Sequence, residues 1–208
     1  MSPPALLDHF GVAVSALSGV IAARGKSLDL FGVLVLALVT ALGGGTLRDL
    51  LTGDGAVAWL RMPGLFTTVC VTAVLAFVGC RCWEPPKPLF QIADALALCA
   101  FAVAGTGKGL ALGFAPIVSI ALGVITGFAG GIVRDTLTGS IPLVFRKDTY
   151  FYATAALFGG IVYCLLFKRA GHDTATWIAV SSSIALRLGA IRYRISLPVF
   201  ESTRTIYH

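Results

Sequence analysis

Charged side chains are scarce in this sequence. Only 12% of its 208 residues are Asp, Glu, Lys or Arg, whereas 57% are hydrophobic. A soluble globular domain carries about 25% charged residues, so this chain has too few to cover a water-facing surface. The shortage excludes a soluble enzyme, a nucleic-acid-binding domain and a disordered protein, and it predicts residence in a lipid bilayer. The formal net charge of +6 then indicates basic cytoplasmic loops rather than a nucleic-acid partner.

Residues for metal binding and catalysis are also few. The three histidines lie near segment ends and form no cluster, and no second cysteine pair occurs at zinc-site spacing. We therefore expect no metal site and no cofactor. The sequence contains no Ser/His/Asp set and no phosphate-binding loop, so we expect that it is not an enzyme. The five cysteines lie in or beside apolar runs and are interpreted as packing residues, namely Cys70, Cys80, Cys82, Cys99 and Cys164.

Long hydrophobic runs are abundant. They are continuously apolar rather than alternating, and in lipid this pattern favours helices over a closed barrel. The sequence therefore predicts an all-α membrane protein with seven transmembrane helices in one domain over residues 1–208. The expected spans are roughly 7–23, 28–50, 65–82, 91–108, 114–137, 150–167 and 173–190, followed by a basic tail at 191–208.

The basic residues are distributed unequally between the two sides of this stack. Because Lys and Arg are enriched in cytoplasmic loops, the richer side is predicted to be cytoplasmic. This places the N-terminus outside and the C-terminus in the cytoplasm of a prokaryotic cell (inner) membrane. The richer side holds nine basic residues and the other side four: Arg24, Lys26, Arg81, Lys87, Arg146, Lys147, Arg192, Arg194 and Arg204 against Arg61, Lys108, Lys168 and Arg169.

The sequence repeats itself at an offset of 86 residues. Residues 40–53 (TALGGGTLRDLLTG) and 126–139 (TGFAGGIVRDTLTG) are identical at eight of fourteen positions, where residue frequencies give roughly one. The repeat units extend over about 8–82 and 94–168, and each contains three spans. An odd number of spans makes the second unit enter the membrane from the opposite side, which predicts an inverted 3+3 repeat plus one C-terminal helix.

Glycine runs lie at matching positions in the second and fifth spans, at Gly43, Gly44 and Gly45 and at Gly130 and Gly131. In inverted repeats, Gly-interrupted helices indicate a site near the membrane midplane. We interpret the runs as bends beside a pore. The neighbouring small-residue stripes are interpreted instead as close helix packing, at Gly123, Gly127, Ala37 and Ala41.

A charged dyad follows each glycine run: Arg48-Asp49 in the first unit and Arg134-Asp135 in the second. Charges in a membrane interior are costly and indicate a functional site by default. The alternative is that both dyads anchor helix ends at the membrane surface. Because the whole string is duplicated with both signs of charge, we favour a polar pathway over an anchor.

Other ionisable residues receive simpler interpretations. Asp8 and Asp94 begin the first and fourth spans and are expected to cap their helices. Lys108 and Arg187 lie at span ends and are expected to reach the membrane surface. Arg192 and Arg194, with Tyr193, are typical of contact with anionic membrane lipids.

The paired Gly-Gly-x-x-Arg-Asp strings in a seven-span chain resemble the prokaryotic branch of the trimeric intracellular cation channels, the TRIC family. The same bacterial domain is also catalogued as a putative glycine transporter. The resemblance covers about residues 5–195. It implies a homotrimer with one hourglass-shaped pore per protomer, conduction of K⁺ and Na⁺, and bent second and fifth spans around that pore.

By match to the motif, the resemblance assigns pore-lining roles to two sets of residues. Position 129 is Ala, so the second glycine triplet is incomplete, and the Lys-Glu-Val motif of animal members is absent. Two functions therefore remain open: a passive monovalent cation channel, and an alternating-access carrier of a small zwitterion such as glycine. The assigned residues are Gly43, Gly44, Gly45, Arg48 and Asp49, and Gly130, Gly131, Arg134 and Asp135.

Overall fold

A computed structural model describes residues 3–146, 149 and 151–195. Most of the predicted basic tail lies outside this range, as do Lys147 and Arg204, which contribute to the basic count. Within the described residues the chain is helical and contains no strand. The helices are α1 (Pro3–Ala23), α2 (Leu30–Thr52), α3 (Ala58–Arg61), α4 (Pro63–Cys82), α5 (Lys87–Ala111), α6 (Pro116–Leu137) and α7 (Tyr152–Tyr193), with a 3₁₀ turn at Leu143–Phe145.

Six of these helices are long and apolar enough to span a membrane, and the last contains two spans. Helix α7 has 42 residues and is interrupted at Gly171, whose φ of 77° and ψ of 170° are not helical. A positive φ is readily adopted only by glycine, so the sequence allows a sharp reversal there. The two halves, 152–170 and 172–193, complete the predicted seven transmembrane helices.

Local signals explain several helix ends. Asp29 caps α2 by accepting a hydrogen bond from the Gly32 amide at 2.8 Å, and Gly53 ends that helix with a left-handed φ of 64°. Proline occupies the first turn of α4, α5 and α6, where its missing amide hydrogen costs no helical hydrogen bond.

The expected capping role of Asp8 and Asp94 is wrong. Helix α1 begins at Pro3, and α5 begins at Lys87 with Pro86 as its capping residue. Both aspartates therefore lie inside their helices, about one to two turns from the start. The error arises because the apolar run begins later than the helix does.

The packing follows the repeat. Helices α1, α2 and α4 pack together, and α5, α6 and α7 form the second group. The groups meet where α1 contacts α5 and α2 contacts α6, so the first two helices of each unit touch their own counterparts, as expected near a pseudo-two-fold axis. Gly123 and Gly127 press α6 against α5, since a Cβ at Gly127 would lie 2.9 Å from the Leu98 carbonyl oxygen.

Alternating crossings define two faces of the bundle. The first face carries the start of α1, the α2–α4 loop, the α5–α6 connection and the break at Gly171. The second face carries the α1–α2, α4–α5 and α6–α7 loops and the end of α7. The two dyads therefore lie toward opposite faces, Arg48-Asp49 near the first and Arg134-Asp135 near the second.

Candidate functional site: two buried charge clusters

Both predicted dyads are buried inside the protein. Arg48 and Asp49 are 8% and 2% exposed, and Arg134 and Asp135 are 0% and 4% exposed. Although each dyad lies in the last turns of its helix, its side chains are packed against other helices rather than extended to solvent. Burial of charged side chains is costly unless the charges are paired and hydrogen-bonded, so both dyads require partners inside the protein.

The first dyad binds a third charge from another helix. Arg48 Nε donates to Asp49 Oδ1 at 2.8 Å, and Lys108 Nζ lies 3.1 Å from the same oxygen. The second Asp49 oxygen, Oδ2, accepts from the Ala58 amide at 2.8 Å. Lys108 also lies 3.3 Å from Asp54 Oδ2 in the α2–α4 loop. Lys108 therefore reaches into the protein and not only to the membrane surface.

The second dyad repeats the internal bonds but has different partners. Arg134 Nε donates to Asp135 Oδ1 at 2.8 Å, and Asp135 Oδ2 accepts from the Leu143 amide at 3.0 Å. Arg134 Nη1 lies 2.7 Å from Asp94 Oδ1 and 2.9 Å from Ser18 Oγ. In both units, one aspartate oxygen thus holds the arginine and the other holds the first amide of the next short helical element.

Sequence reasoning missed Asp94, Ser18 and Phe90 as partners of Arg134. The Phe90 ring centroid lies 4.7 Å from the Arg134 Cζ atom, which is cation–π geometry. One signal was available: Asp8 and Asp94 repeat at the same offset of 86 residues as the dyads. Asp8 lies within electrostatic reach of Arg48 and Lys108, so both aspartates belong to the charge clusters.

The glycine runs form the crossing of α2 and α6. A Cβ at Gly44 would collide with the Thr126 carbonyl oxygen, and a Cβ at Gly130 would collide with the Thr40 carbonyl oxygen. A Cβ at Gly43 would lie 3.7 Å from the Gly130 Cα atom. These two contacts correspond to each other in the repeat, because Gly44 and Gly130 are 86 residues apart and so are Thr40 and Thr126.

Both helices remain helical through these glycines. The structure therefore shows a close backbone crossing at the two runs and no break of either helix. The other two glycines, Gly45 and Gly131, lie beside the guanidinium groups of the dyads at distances where a Cβ would make ordinary van der Waals contact. A Cβ at Gly45 would lie 3.9 Å from Arg48 Nη2, and one at Gly131 would lie 3.6 Å from Arg134 Nη2.

Two cavities approach the clusters from opposite faces. A cavity of about 310 Å³ on the first face is lined by Asp8, Arg48, Lys108, His172 and Thr176 among others. A cavity of about 210 Å³ on the second face is lined by Phe90, Asp135, Thr138 and Leu143 among others. The α2–α6 crossing lies between them, so polar space reaches toward the crossing from both sides.

The clusters have no geometry for metal binding. In the described parts of the chain, no group of three or more His, Cys, Asp or Glu side chains is arranged to hold a metal ion. Each aspartate of the two clusters instead lies beside an arginine or lysine, and such mixed charges suit the passage or binding of small ions and zwitterions.

The fold and this interior define a class: a multi-pass helical membrane protein built from two inverted three-helix units and a seventh helix. The family model described as a glycine transporter matches residues 5–81 and 91–168. The chain is 39% identical over 199 residues to the inner membrane protein YadS of Escherichia coli (strain K12), covering 93% of this chain and 94% of that protein. A membrane protein of Vibrio cholerae is 40% identical over 204 residues, covering 96% of this chain and 83% of that protein.

Solved structures give the family. The TRIC trimeric intracellular cation channel orthologue from Rhodobacter sphaeroides superposes with a TM-score of 0.87 at 31% identity, covering 94% of this chain and all of that one. A structure described as the basis for conductance through TRIC cation channels gives 0.86 at 32% identity, covering 97% and 98% of the two chains. The chain belongs to the TRIC family, whose solved members are channels and not enzymes.

Proposed function

We propose that the chain is a cation channel of a bacterial inner membrane that conducts K⁺ and Na⁺ through a pore within each protomer. The observation that carries the proposal is the placement of the two dyads on opposite sides of the α2–α6 crossing, each beside a cavity. One dyad borders a cavity on the first face, and the other borders a cavity on the second face.

In this proposal the path crosses between α2 and α6. It runs from Arg48 and Asp49 past the glycines of both helices to Arg134 and Asp135. Because glycine has no side chain, the backbones approach closely, and a small separation of the two helices would open the path. The carboxylates attract cations, and the paired guanidinium groups limit how tightly a cation is held.

The test is single-channel recording of the purified protein in a planar bilayer with K⁺ on both sides. We expect unitary current steps, and Asp49→Asn and Asp135→Asn should each lower the conductance by about twofold or more, since a lost unit charge changes an ion's energy by more than RT. The matched control is Asp29→Asn, because Asp29 is an exposed helix cap and asparagine caps equally well. Unchanged currents in both folded variants would place the path elsewhere.

A carrier of a small zwitterion such as glycine is the second candidate. It is favoured by the description of the matching family model and by two cavities on opposite faces with a closed crossing between them, an arrangement that alternating access also uses. A carrier produces no unitary current steps. Uptake of labelled glycine into vesicles without such steps would favour the carrier over the channel.

We also propose that three copies assemble. One supporting observation is the trimeric Rhodobacter sphaeroides relative. The other is α4, an apolar helix whose surface is mostly exposed, since only Leu65, Val69 and Ala73 of it are buried. Light scattering of the purified protein should give a protein mass of about three chains of 21.7 kDa each. A mass of one or two chains would contradict this assembly.

A further inference from the structure

Arg187 lies in the protein interior and not at the membrane surface. It belongs to the second half of α7, outside the repeat, and is 2% exposed. Its Cζ atom lies 5.1 Å from the ring centroid of Tyr152. Its Nε and Nη1 atoms are buried without a hydrogen-bond partner among the residues that the structure describes. The expectation that Arg187 extends to the surface is therefore wrong.

Tyr152 connects Arg187 to the second charge cluster. A Cβ at Gly131 would lie 3.4 Å from the Tyr152 hydroxyl oxygen and 3.7 Å from Asp94 Oδ1, beside the Arg134 guanidinium. Asp94 Oδ1 accepts a hydrogen bond from Arg134 Nη1, while Asp94 Oδ2 is buried without a partner in the described part of the chain. Asp94 is the acidic side chain whose charge acts most strongly on Arg187.

The formal charges of the two clusters can be compared position by position. One arginine and two aspartates of the clusters are matched by the repeat: Arg48, Asp8 and Asp49 in the first half, and Arg134, Asp94 and Asp135 in the second. Each set alone has a formal charge of −1. In the first half Lys108, whose repeat counterpart is Ala22, adds a positive charge that pairs with Asp49 and also with Asp54 of the α2–α4 loop.

We infer that Arg187 is the counter-charge of the second half and sets how strongly that half attracts cations. It does so through Asp94, whose Oδ2 is buried without a hydrogen-bond partner in the described part of the chain. The set of Arg134, Asp94, Asp135 and Arg187 is formally neutral, whereas the same set without Arg187 has a charge of −1. Arg187 is thus a positioning and selectivity residue, an assignment that rests on the proposed pore for its effect on current.

Recording Arg187→Gln beside Arg187→Lys tests the effect on current. The Gln variant keeps much of the length and polarity but leaves the cluster at −1, so K⁺ conductance in about 0.05 M KCl should rise by about twofold or more. The increase should shrink in about 1 M KCl, because salt screens the charge, a dependence that a purely structural defect would not produce. The Lys variant should behave as the unsubstituted protein.

A second measurement tests the Asp94 pairing without any current. Arg187→Gln and Asp94→Asn should each lower the thermal unfolding temperature, and the double variant, which is neutral again, should lose less than the two losses added together. Arg192→Gln is the control, since Arg192 is an exposed basic residue of the same helix.

The outcomes separate this inference from the proposed channel. If the unsubstituted protein gives no current, the channel proposal fails, and the unfolding temperatures still decide whether Arg187 and Asp94 are coupled. Additive losses overturn the inference. So does a current in folded Arg187→Gln that equals the unsubstituted one at both salt concentrations.

Discussion

At the scale of single residues, the two arginines of the repeat have unequal surroundings. Arg134 is fully buried and binds Asp94, Asp135 and Ser18. Arg48 borders an open cavity, and its partner Asp49 also forms a salt bridge with Lys108. The sequence presents the two arginines as equivalent, whereas the structure makes one a deep structural contact and leaves the other accessible.

Truncating the two arginines should therefore have unequal effects on stability. Arg134→Ala leaves Asp94 and Asp135 buried without their cation and should cost about 3–5 kcal/mol of unfolding free energy. Arg48→Ala should cost less, because Lys108 still pairs with Asp49. Thermal unfolding in detergent measures the difference, with Arg48→Ala as the matched control. Equal losses would contradict the described burial.

At the scale of secondary-structure elements, the glycine runs act through the contact between α2 and α6. Their helices stay regular, and the sharp change of direction occurs at Gly171 in α7. Glycine clusters in a sequence are compatible with a bend, a break or a close approach. The carbonyl oxygens of Thr40 and Thr126 beside Gly130 and Gly44 show a close approach here, and the predicted bend of the two helices stays a prediction.

Methyl groups at this crossing should be destabilising. Gly44→Ala and Gly130→Ala each place a Cβ against a backbone carbonyl oxygen, which cannot move without shifting a helix, and overpacking of this kind costs about 1–3 kcal/mol. Thermal unfolding checks the loss, and currents should fall because the added methyl groups fill the space between α2 and α6 through which the proposed path runs.

The control for the crossing is Gly79→Ala in α4. Gly79 is also helical, but a Cβ there meets no atom within 4 Å, so alanine should be neutral or stabilising because its helix propensity is higher. A tolerated alanine at both Gly44 and Gly130 would show that the two helices are farther apart than described.

At the scale of the whole molecule, the alternating crossings place the start of α1 and the end of α7 on opposite faces. The excess of basic residues predicts that the first face, with the N-terminus, is outside the cell. Residues such as Arg24 and Arg81 lie beside each other on the second face, where they line a cavity of about 300 Å³.

Labelling with an impermeant thiol reagent tests this orientation in a background without the native cysteines. Ala56→Cys in the exposed α2–α4 loop should react in intact cells. Ser202→Cys, which lies outside the described residues, should react only after the cytoplasmic side is opened. The reverse pattern would invert the predicted topology.

The sequence by itself determined the membrane setting, the seven spans and the inverted repeat. These follow from quantities that are local or periodic: apolar length, the parity of crossings, and identity at a fixed offset. It also indicated which residues to examine, because the dyads and glycine runs are duplicated together. The start of α5 was predicted too late, at Asp94, because the prolines at positions 85, 86 and 88 look like a loop in the sequence although Pro88 lies in the first turn of the helix.

Only the tertiary structure decided which charges meet. Arg187 and Lys108 both lie near the ends of apolar runs, and nothing local distinguishes a side chain that faces lipid from one that faces the protein. That distinction depends on the rotation of each helix and on which helix packs beside it. For Arg187, the second half of α7 packs against the first half, where Ser183 Oγ donates to the Ala155 carbonyl oxygen at 2.6 Å. This packing puts the Arg187 side chain over Tyr152 and within electrostatic reach of Asp94, which gave the residue its place in the charge cluster.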